Sequence, residues 1–173
     1  LPQNLGWYPE KLNSKIDVVI LGMHASSDNP ELIHAQSLGL KIQSYPQFLK
    51  AMCLEKSTVV IAGSHGKTSI TAMILHVLNY HKVATDYMVG ATVPAVPETL
   101  SLSNENDFVL LEGDEYLSSA IDSKPKFLWY KPEIALISGI AWDHVNVFPT
   151  FEDYISQFEK FIFSIVEGGV LIY

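Results

Sequence analysis

The stretch Thr58-Val-Val-Ile-Ala-Gly-Ser-His-Gly-Lys-Thr-Ser-Ile-Thr-Ala-Met-Ile-Leu75 decides the fold. Its first five residues are β-branched or small and apolar, the pattern of a buried strand. The strand breaks at Gly63, and beyond Gly66 apolar residues recur at Ile70, Met73, Ile74, Val77 and Leu78, the spacing of a helix. A strand that turns through glycines into a helix is a phosphate-binding loop. Gly63 and Gly66 let the backbone approach an anion and turn N–H groups toward it, and the helix start adds a positive dipole end. Lys67 then reaches the β- and γ-phosphates of a nucleotide, and the hydroxyl of Thr68 holds a magnesium ion. The usual nucleotide loop has a glycine five residues before its Gly-Lys pair; here that position is Ile61, so the loop is shorter than the common pattern.

Strand and helix signals alternate on both sides of this loop. Residues 16–21 read as a buried strand, and Asn29 with Pro30 starts a helix through Leu38, closed by Gly39. Residues 41–43 read as a short strand before a helix opened by Pro46 and running toward Met52, and residues 54–57 as a polar linker. Further strands are expected at 87–89, 108–112, 134–138 and 169–173. The stretch 90–106, with Pro94, Pro97, Ser101, Ser103 and Asn104, reads as a long loop or hairpin over the site. Residues 151–166 form a helix whose stripe of Tyr154, Ile155, Phe158, Phe161 and Ile162 reads as core. The fold class is α/β, with mostly parallel sheets and covering helices, and ligands gather at the carboxyl ends of such strands.

The bulk composition narrows the partners. Eleven basic against 19 acidic residues give a formal charge of −8 over 173 residues, which argues against a nucleic-acid or anionic-membrane surface. Phosphate binding must therefore be focal. Cys53 is the single cysteine, so no internal disulfide forms, as in a reducing compartment, and it reads as a small helix residue facing the core. No membrane span or secretion signal is evident, which leaves a cytoplasmic location. The chain opens at Leu1 without methionine and stops inside an apolar run at Tyr173, as an internal piece of a longer enzyme would.

Two more polar clusters follow strands. After Phe108-Val-Leu-Leu come Glu112, Asp114 and Glu115, which either bind the magnesium accompanying a nucleotide or form a solvated loop. After Ile134-Ala-Leu-Ile come Asp143 and His144, with His144 as a ligand or phosphate contact in one reading and a structural histidine in the other. His24, His34, His76 and His81 have no such setting, and His65 meets a phosphate, if at all, through its backbone N–H.

Together these clusters resemble the Mur ligases, ATP-dependent amide ligases that add amino acids or peptides to UDP-N-acetylmuramic acid. Gly63-Ser-His-Gly-Lys-Thr-Ser69 is similar to the family's short Gly-x-His-Gly-Lys-Thr loop, Glu112-Gly-Asp-Glu-Tyr116 to its Glu-Ala-Asp-Glu metal motif, and Asp143-His144 to its Asp-His pair. Asp28-Asn-Pro-Glu31 and Ser44-Tyr-Pro-Gln-Phe-Leu49 resemble the second half of the family's UDP-binding first domain. The resemblance implies that residues 1–57 are the C-terminal half of a Rossmann-like UDP-binding domain and that 58–173 begin the central ATP-binding domain. It implies ATP and Mg2+ as cofactors, with Gly63, Ser64, His65, Gly66, Lys67, Thr68 and Ser69 around the nucleotide. Thr68 and Glu112 would hold one magnesium, Glu112 and His144 a second, and Lys67, Glu112 and His144 would carry catalysis. Within the family, Asp114-Glu-Tyr116, Asp122, Lys126-Phe-Leu-Trp-Tyr130 and Pro132 are most similar to the murein peptide ligase branch. That branch joins the tripeptide L-alanyl-γ-D-glutamyl-meso-diaminopimelate to UDP-N-acetylmuramate, and the L-alanine-adding branch is its near relative.

There are departures. Gly139, Ile140 and Ala141 stand where the family often writes Asn-x-Glu, removing support for His144, and Phe158 stands where several relatives carry a carbamylated lysine. The rivals are a nucleotide-binding module that hydrolyses ATP or GTP without making a bond, and a ligase adding glutamate to folate. The chain has no guanine-type Asn-Lys-x-Asp run, and Asp28-Asn-Pro-Glu31 favours a UDP-sugar domain.

Overall fold

The computed structural model describes residues 6–94, 96 and 98–173; Pro97, assigned above to the long loop, lies outside the described residues. The chain divides into two compact units, Leu1–Ala51 with Leu117–Lys124, and Met52–Tyr116 with Pro125–Tyr173.

In the first unit β1 (Val19–Leu21) leads to α1 (Pro30–Ser37), β2 (Ile42–Ser44) and α2 (Tyr45–Met52). The start of α1 follows from its cap: Asn29 Oδ1 accepts from the N–H groups of Glu31 at 2.8 Å and Leu32 at 3.2 Å, and Pro30 fills the position where no N–H is needed. β1 and β2 pair in parallel over three residues, Val19 with Ile42 through Leu21 with Ser44. The strand expected at 16–21 is therefore shorter, because β2 offers partners only to its last three residues. It is also less buried, with Ile20 43% exposed and only Leu21 in the core.

The second unit is built on β3 (Ser57–Ala62), α3 (Lys67–Tyr80), β4 (Asp86–Met88), β5 (Leu100–Ser101) and β6 (Phe108–Glu112). The chain then makes a two-stranded excursion, β7 (Leu117–Ser119) with β8 (Asp122–Pro125), whose residues 117–124 group with the first unit; there Asp122 Oδ2 accepts from Ser44 Oγ at 2.9 Å. It returns through β9 (Ile134–Ile137), α4 (Phe151–Phe163) and β10 (Val170–Ile172). The six strands lie in the order β10-β9-β3-β6-β4-β5, all parallel except β5 against β4. Within the 90–106 stretch, Leu100 and Ser101 thus return antiparallel onto β4. The architecture is α/β with a mostly parallel sheet, as the alternation of signals requires.

β3 lies between β6 and β9, with Ile61 level with Glu112 and Ala62 level with Ile137. Strand alternation separates its two faces. Val59 and Ile61 join Leu75, Val89, Val96 and Leu110 with Ile70 and Ile74 on the α3 side. On the other, Val60 lies near Phe127, which stacks on Phe161 with centroids 4.6 Å apart and meets Phe158 edge-on at 5.4 Å. The stripe of α4 is core through Tyr154, Phe158 and Phe161, and Ile162 lies at its rim. The apolar residues whose spacing predicts α3 do not all turn inward. Met73 and Val77 are 60% and 53% exposed, and Thr71 and Leu75 are the buried positions. This helix is apolar nearly all round, so spacing alone leaves the inward face undetermined. α4 ends at Phe163, three residues short of the expectation, where Ser164 Oγ caps the Phe161 carbonyl at 2.7 Å and Val166 N–H turns to Pro132.

One buried ion pair holds β4 to the turn after α2. Lys56 Nζ lies 2.9 Å from Asp86 Oδ2, and Asp86 also accepts from Asn106 and the Ser103 N–H. Burial opposes ionisation of Asp86, but its bonds to Lys56, Asn106 and Ser103 outweigh it and hold the carboxyl below the usual range. Cys53, buried in the turn just past α2, is pushed up to about 11 by burial and by the Asp86 charge, so it stays a thiol. Among the described residues no helix is long and apolar enough to cross a membrane.

Candidate nucleotide and metal site

The loop 63–66 leaves the carboxyl end of β3 and feeds directly into α3. Gly63 adopts φ +124°, and a side chain there would collide with Ser138 Oγ and the Ser138 amide; Gly66 adopts φ +80° as the N-cap. Glycine is required at the first by close approach as well as by conformation. The loop is tied to the end of β9: Ser64 N–H donates to Gly139 O at 3.0 Å, and Ser138 Oγ donates to His65 O at 2.6 Å. Ala141 N–H donates to Ser64 Oγ at 2.8 Å, so Gly139 and Ala141 brace the loop through backbone groups.

Thr68, in the first turn of α3, donates to Glu112 Oε1 at 2.8 Å, while Glu112 Oε2 accepts the Gly90 N–H at 2.8 Å. The hydroxyl and carboxylate oxygens are hard donors, and their spacing is close to the about 2.9 Å between neighbouring corners of a magnesium octahedron with bonds of roughly 2.0–2.1 Å. This pair fits magnesium.

The other groups gather around Glu115, which is fully buried. Its Oε2 lies 2.9 Å from Lys67 Nζ, and its Oε1 accepts from Tyr154 OH at 2.8 Å and lies 3.6 Å from His144 Nε2. Lys67 also donates to Gly63 O at 2.7 Å and Ser64 O at 3.5 Å. Tyr154 OH meets Ser64 Oγ at 2.7 Å, so α4 touches both the loop and the carboxylate. Burial, reinforced by Glu115's charge, pushes the Tyr154 phenol well up and keeps it protonated.

Asp114 forms a 2.6 Å pair with Lys126. Burial opposes its ionisation, but the Lys126 ammonium, the Tyr116 N–H and Lys67 prevail and hold its carboxyl below the usual range. Asp114, Glu115 and His144 bring ligand atoms within 4.8 Å of one another, yet both carboxylates already hold an ammonium. His144 has left-handed backbone, φ 56°, its N–H on its neighbour Asp143 Oδ1 at 2.6 Å, and its ring meets Tyr116 edge-on.

The sequence-predicted residues thus fall into one region at the ends of β3, β6 and β9. Thr68 joins Glu112, Lys67 and His144 join Glu115, and His65 and Ser69 are exposed. Phe158 is a core residue against Phe127. Sequence reasoning grouped Glu115 with Glu112 and Asp114 as magnesium ligands or a solvated loop, without its link to Lys67, and took Tyr154 as core alone. The signal for Tyr154 was a hydroxyl in an otherwise apolar stripe, which must find a polar partner when buried.

The family model described as the Mur ligase middle domain matches residues 61–173, which include the whole of this site. The chain belongs to the Mur ligase family. The UDP-N-acetylmuramate–L-alanine ligase of Desulfitobacterium hafniense (strain Y51) is 32% identical over 155 residues, covering 90% of this chain and 33% of that protein. That of Renibacterium salmoninarum is 31% identical over 156 residues, covering 90% and 32%. The chain spans about a third of the length of the curated relatives it matches. Among solved structures, the Neisseria meningitides ligase named for UDP-N-acetylmuramate and L-alanyl-γ-D-glutamyl-meso-diaminopimelate superposes with a TM-score of 0.85. It is 24% identical, over 96% of this Mur ligase chain and 54% of that one. The UDP-N-acetylmuramate–alanine ligase of Thermotoga maritima gives 0.72 at 23% identity, over 93% and 36%. At these identities the two likenesses speak to the fold.

Proposed function

We propose that this Mur ligase chain is the nucleotide-binding part of a cytoplasmic, ATP-dependent amide ligase acting on UDP-N-acetylmuramate. Residues 1–57 would complete its UDP-binding domain and 58–173 would begin its ATP-binding domain. The observation that carries the reading is that the glycine loop 63–66, Lys67 and the Thr68–Glu112 pair lie together at the carboxyl ends of the adjacent strands β3 and β6. A triphosphate needs those groups together: N–H donors, one ammonium and a pair of hard oxygen donors.

The reaction that fits is stepwise. A lactyl carboxylate oxygen attacks the γ-phosphorus and ADP leaves, giving an acyl phosphate. The amine nitrogen then attacks the acyl carbon, phosphate departs with the C–O electron pair, and the nitrogen loses a proton to leave an amide. The chain's share is to hold the phosphates with the loop amides and to neutralise charge with Lys67. Thr68 and Glu112 are the residues proposed to hold magnesium, which would supply further charge neutralisation when bound, while His144 lies against Glu115.

The acceptor proposed is the murein tripeptide, on the motifs running from Asp114 to Pro132. L-alanine is a second reading, favoured by the names of the relatives sharing about a third of their aligned residues. Phosphate release by the full-length enzyme, given ATP and UDP-N-acetylmuramate with tripeptide, with L-alanine or with neither, separates these and the bond-free hydrolase. Lys67→Ala is expected to lower turnover by about two to four decades. Near-normal turnover in that variant would remove the phosphate-loop assignment.

A further inference from the structure

Resting on that reading of the loop, we propose that Glu115 is the positioning residue of Lys67: an internal counter-anion that holds the ammonium in the free protein and that the terminal phosphates of the nucleotide must displace. An ammonium has three protons. Those of Lys67 are directed at Gly63 O at 2.7 Å, Glu115 Oε2 at 2.9 Å and, at longer range, Ser64 O at 3.5 Å. Two of these acceptors belong to the loop that cradles the phosphates. Glu115 is the anionic one, and it is the partner a phosphate oxygen would replace.

The two sides of the pair differ in freedom. Lys67 stands in the first turn of α3 on a four-carbon stem. Glu115 cannot follow it, because the carboxylate is fully buried and its other oxygen is gripped by Tyr154, itself fully buried in α4 and bonded to Ser64. When Lys67 turns to a phosphate, Glu115 is left as a buried carboxylate next to an incoming polyanion. That arrangement penalises bare polyphosphate and favours polyphosphate arriving with a divalent cation, which offsets the exposed negative charge. Glu115 thus makes phosphate binding depend on the accompanying metal, while Tyr154 keeps the carboxylate aimed at Lys67.

The experiment measures binding of ATP and of inorganic tripolyphosphate to the wild-type protein and to Glu115→Gln, by calorimetry, with chelator and with magnesium. Far-UV circular dichroism checks the fold. Glu115→Gln keeps the shape and an acceptor for Tyr154 but removes the charge. It is expected to bind chelator-treated tripolyphosphate and ATP on the order of tenfold more tightly than wild type, the scale of one charge-assisted hydrogen bond. The gain should shrink with magnesium and be absent for AMP, which lacks the β- and γ-phosphates. A purely structural role for Glu115 would not produce tighter binding. Unchanged or weaker binding by the folded variant overturns the proposal. If Glu115→Gln does not fold, Glu115→Asp, which withdraws the charge by one methylene, is expected to shift binding the same way to a smaller extent, and no shift overturns it. Should the wild-type protein bind neither probe under any condition, it is the phosphate-loop reading itself that fails; where the wild type does bind, Lys67→Ala is expected to lose that binding, and retained binding in the folded variant again removes the phosphate-loop reading and not the Glu115 step alone.

Discussion

Replacing Gly63 by alanine tests how closely β9 presses on the phosphate loop. The new Cβ would fall on Ser138 Oγ, 2.9 Å from the Ser138 amide nitrogen and 3.1 Å from Gly139 O. The serine side chain could rotate away, giving up its bond to His65 O, but the amide nitrogen belongs to a backbone hydrogen bond to Ala62 O at 3.0 Å and cannot yield cheaply. Alanine would also be forced to φ +124°. Gly139 supplies the control: its φ is +141° and a Cβ there meets nothing within 4 Å. Backbone strain of about 1–3 kcal/mol applies to both variants, and overpacking of about 1–3 kcal/mol applies to Gly63→Ala alone. The expected losses are therefore about 1–3 kcal/mol at Gly139 and about 2–6 kcal/mol at Gly63. Urea unfolding followed by tryptophan fluorescence and far-UV circular dichroism, with slopes compared for constancy, reads the difference. Equal midpoints for the two variants would refute the close approach, and with it the idea that β9 shapes the loop.

Two further perturbations address the metal pair and the buried ion pair. Glu112→Gln can keep both local bonds, its oxygen accepting from Gly90 N–H and its amide donating to a rotated Thr68 hydroxyl, so the fold should hold at a cost of about 1–2 kcal/mol, the difference between charge-assisted and neutral hydrogen bonds. Magnesium-dependent nucleotide binding should meanwhile weaken by about tenfold or more; a magnesium titration identical to wild type would remove Glu112 from the metal site. Asp86→Asn strips the buried Lys56 of its carboxylate and is expected to cost about 3–5 kcal/mol at neutral pH. Because the fold holds the Asp86 carboxyl below its ordinary 3.8, that contribution is complete above the unfolded value and is lost as pH falls through the lowered folded one. The urea midpoints of wild type and Asp86→Asn should therefore converge toward pH 3 and below, and midpoints that stay parallel would contradict the assignment.

What the sequence made legible is local. The strand, the two glycines and the helix carrying Lys67 and Thr68 lie within eighteen consecutive residues, and each rests on a short-range rule: β-branched alternation, positive φ, helical spacing. The cap at Asn29 and the aromatic face of α4 were readable for the same reason. The face of α3 was not, because Met73 and Val77 extend its apolar surface beyond the stripe that packs, and only the sheet decides which side turns inward. Nor was the return of residues 117–124 to the first unit, which depends on contacts such as Ser44 with Asp122, 78 residues apart.

The glutamate that ends β6 and the one three residues beyond it show where a motif stops being informative. Glu112 and Glu115 stand three residues apart, and along an extended run an odd spacing sends side chains to opposite sides. One motif can therefore supply two different clusters, and here Glu112 reaches Thr68 and the Gly90 N–H while Glu115 reaches Lys67, Tyr154 and His144. β6 ends at Glu112, so spacing neither fixes where Glu115 points nor says which carboxylate meets the lysine. That choice is made by α4, which contributes Tyr154 across 39 residues and fixes Glu115 in the interior. A buried phenol in a stripe of phenylalanines demands an acceptor, and the carboxylates delivered at the sheet's carboxyl edge are the natural places to seek it. The pairing of Tyr154 with one of them was therefore within reach of sequence reasoning, whereas the preference for Glu115 over Glu112 required the packed structure.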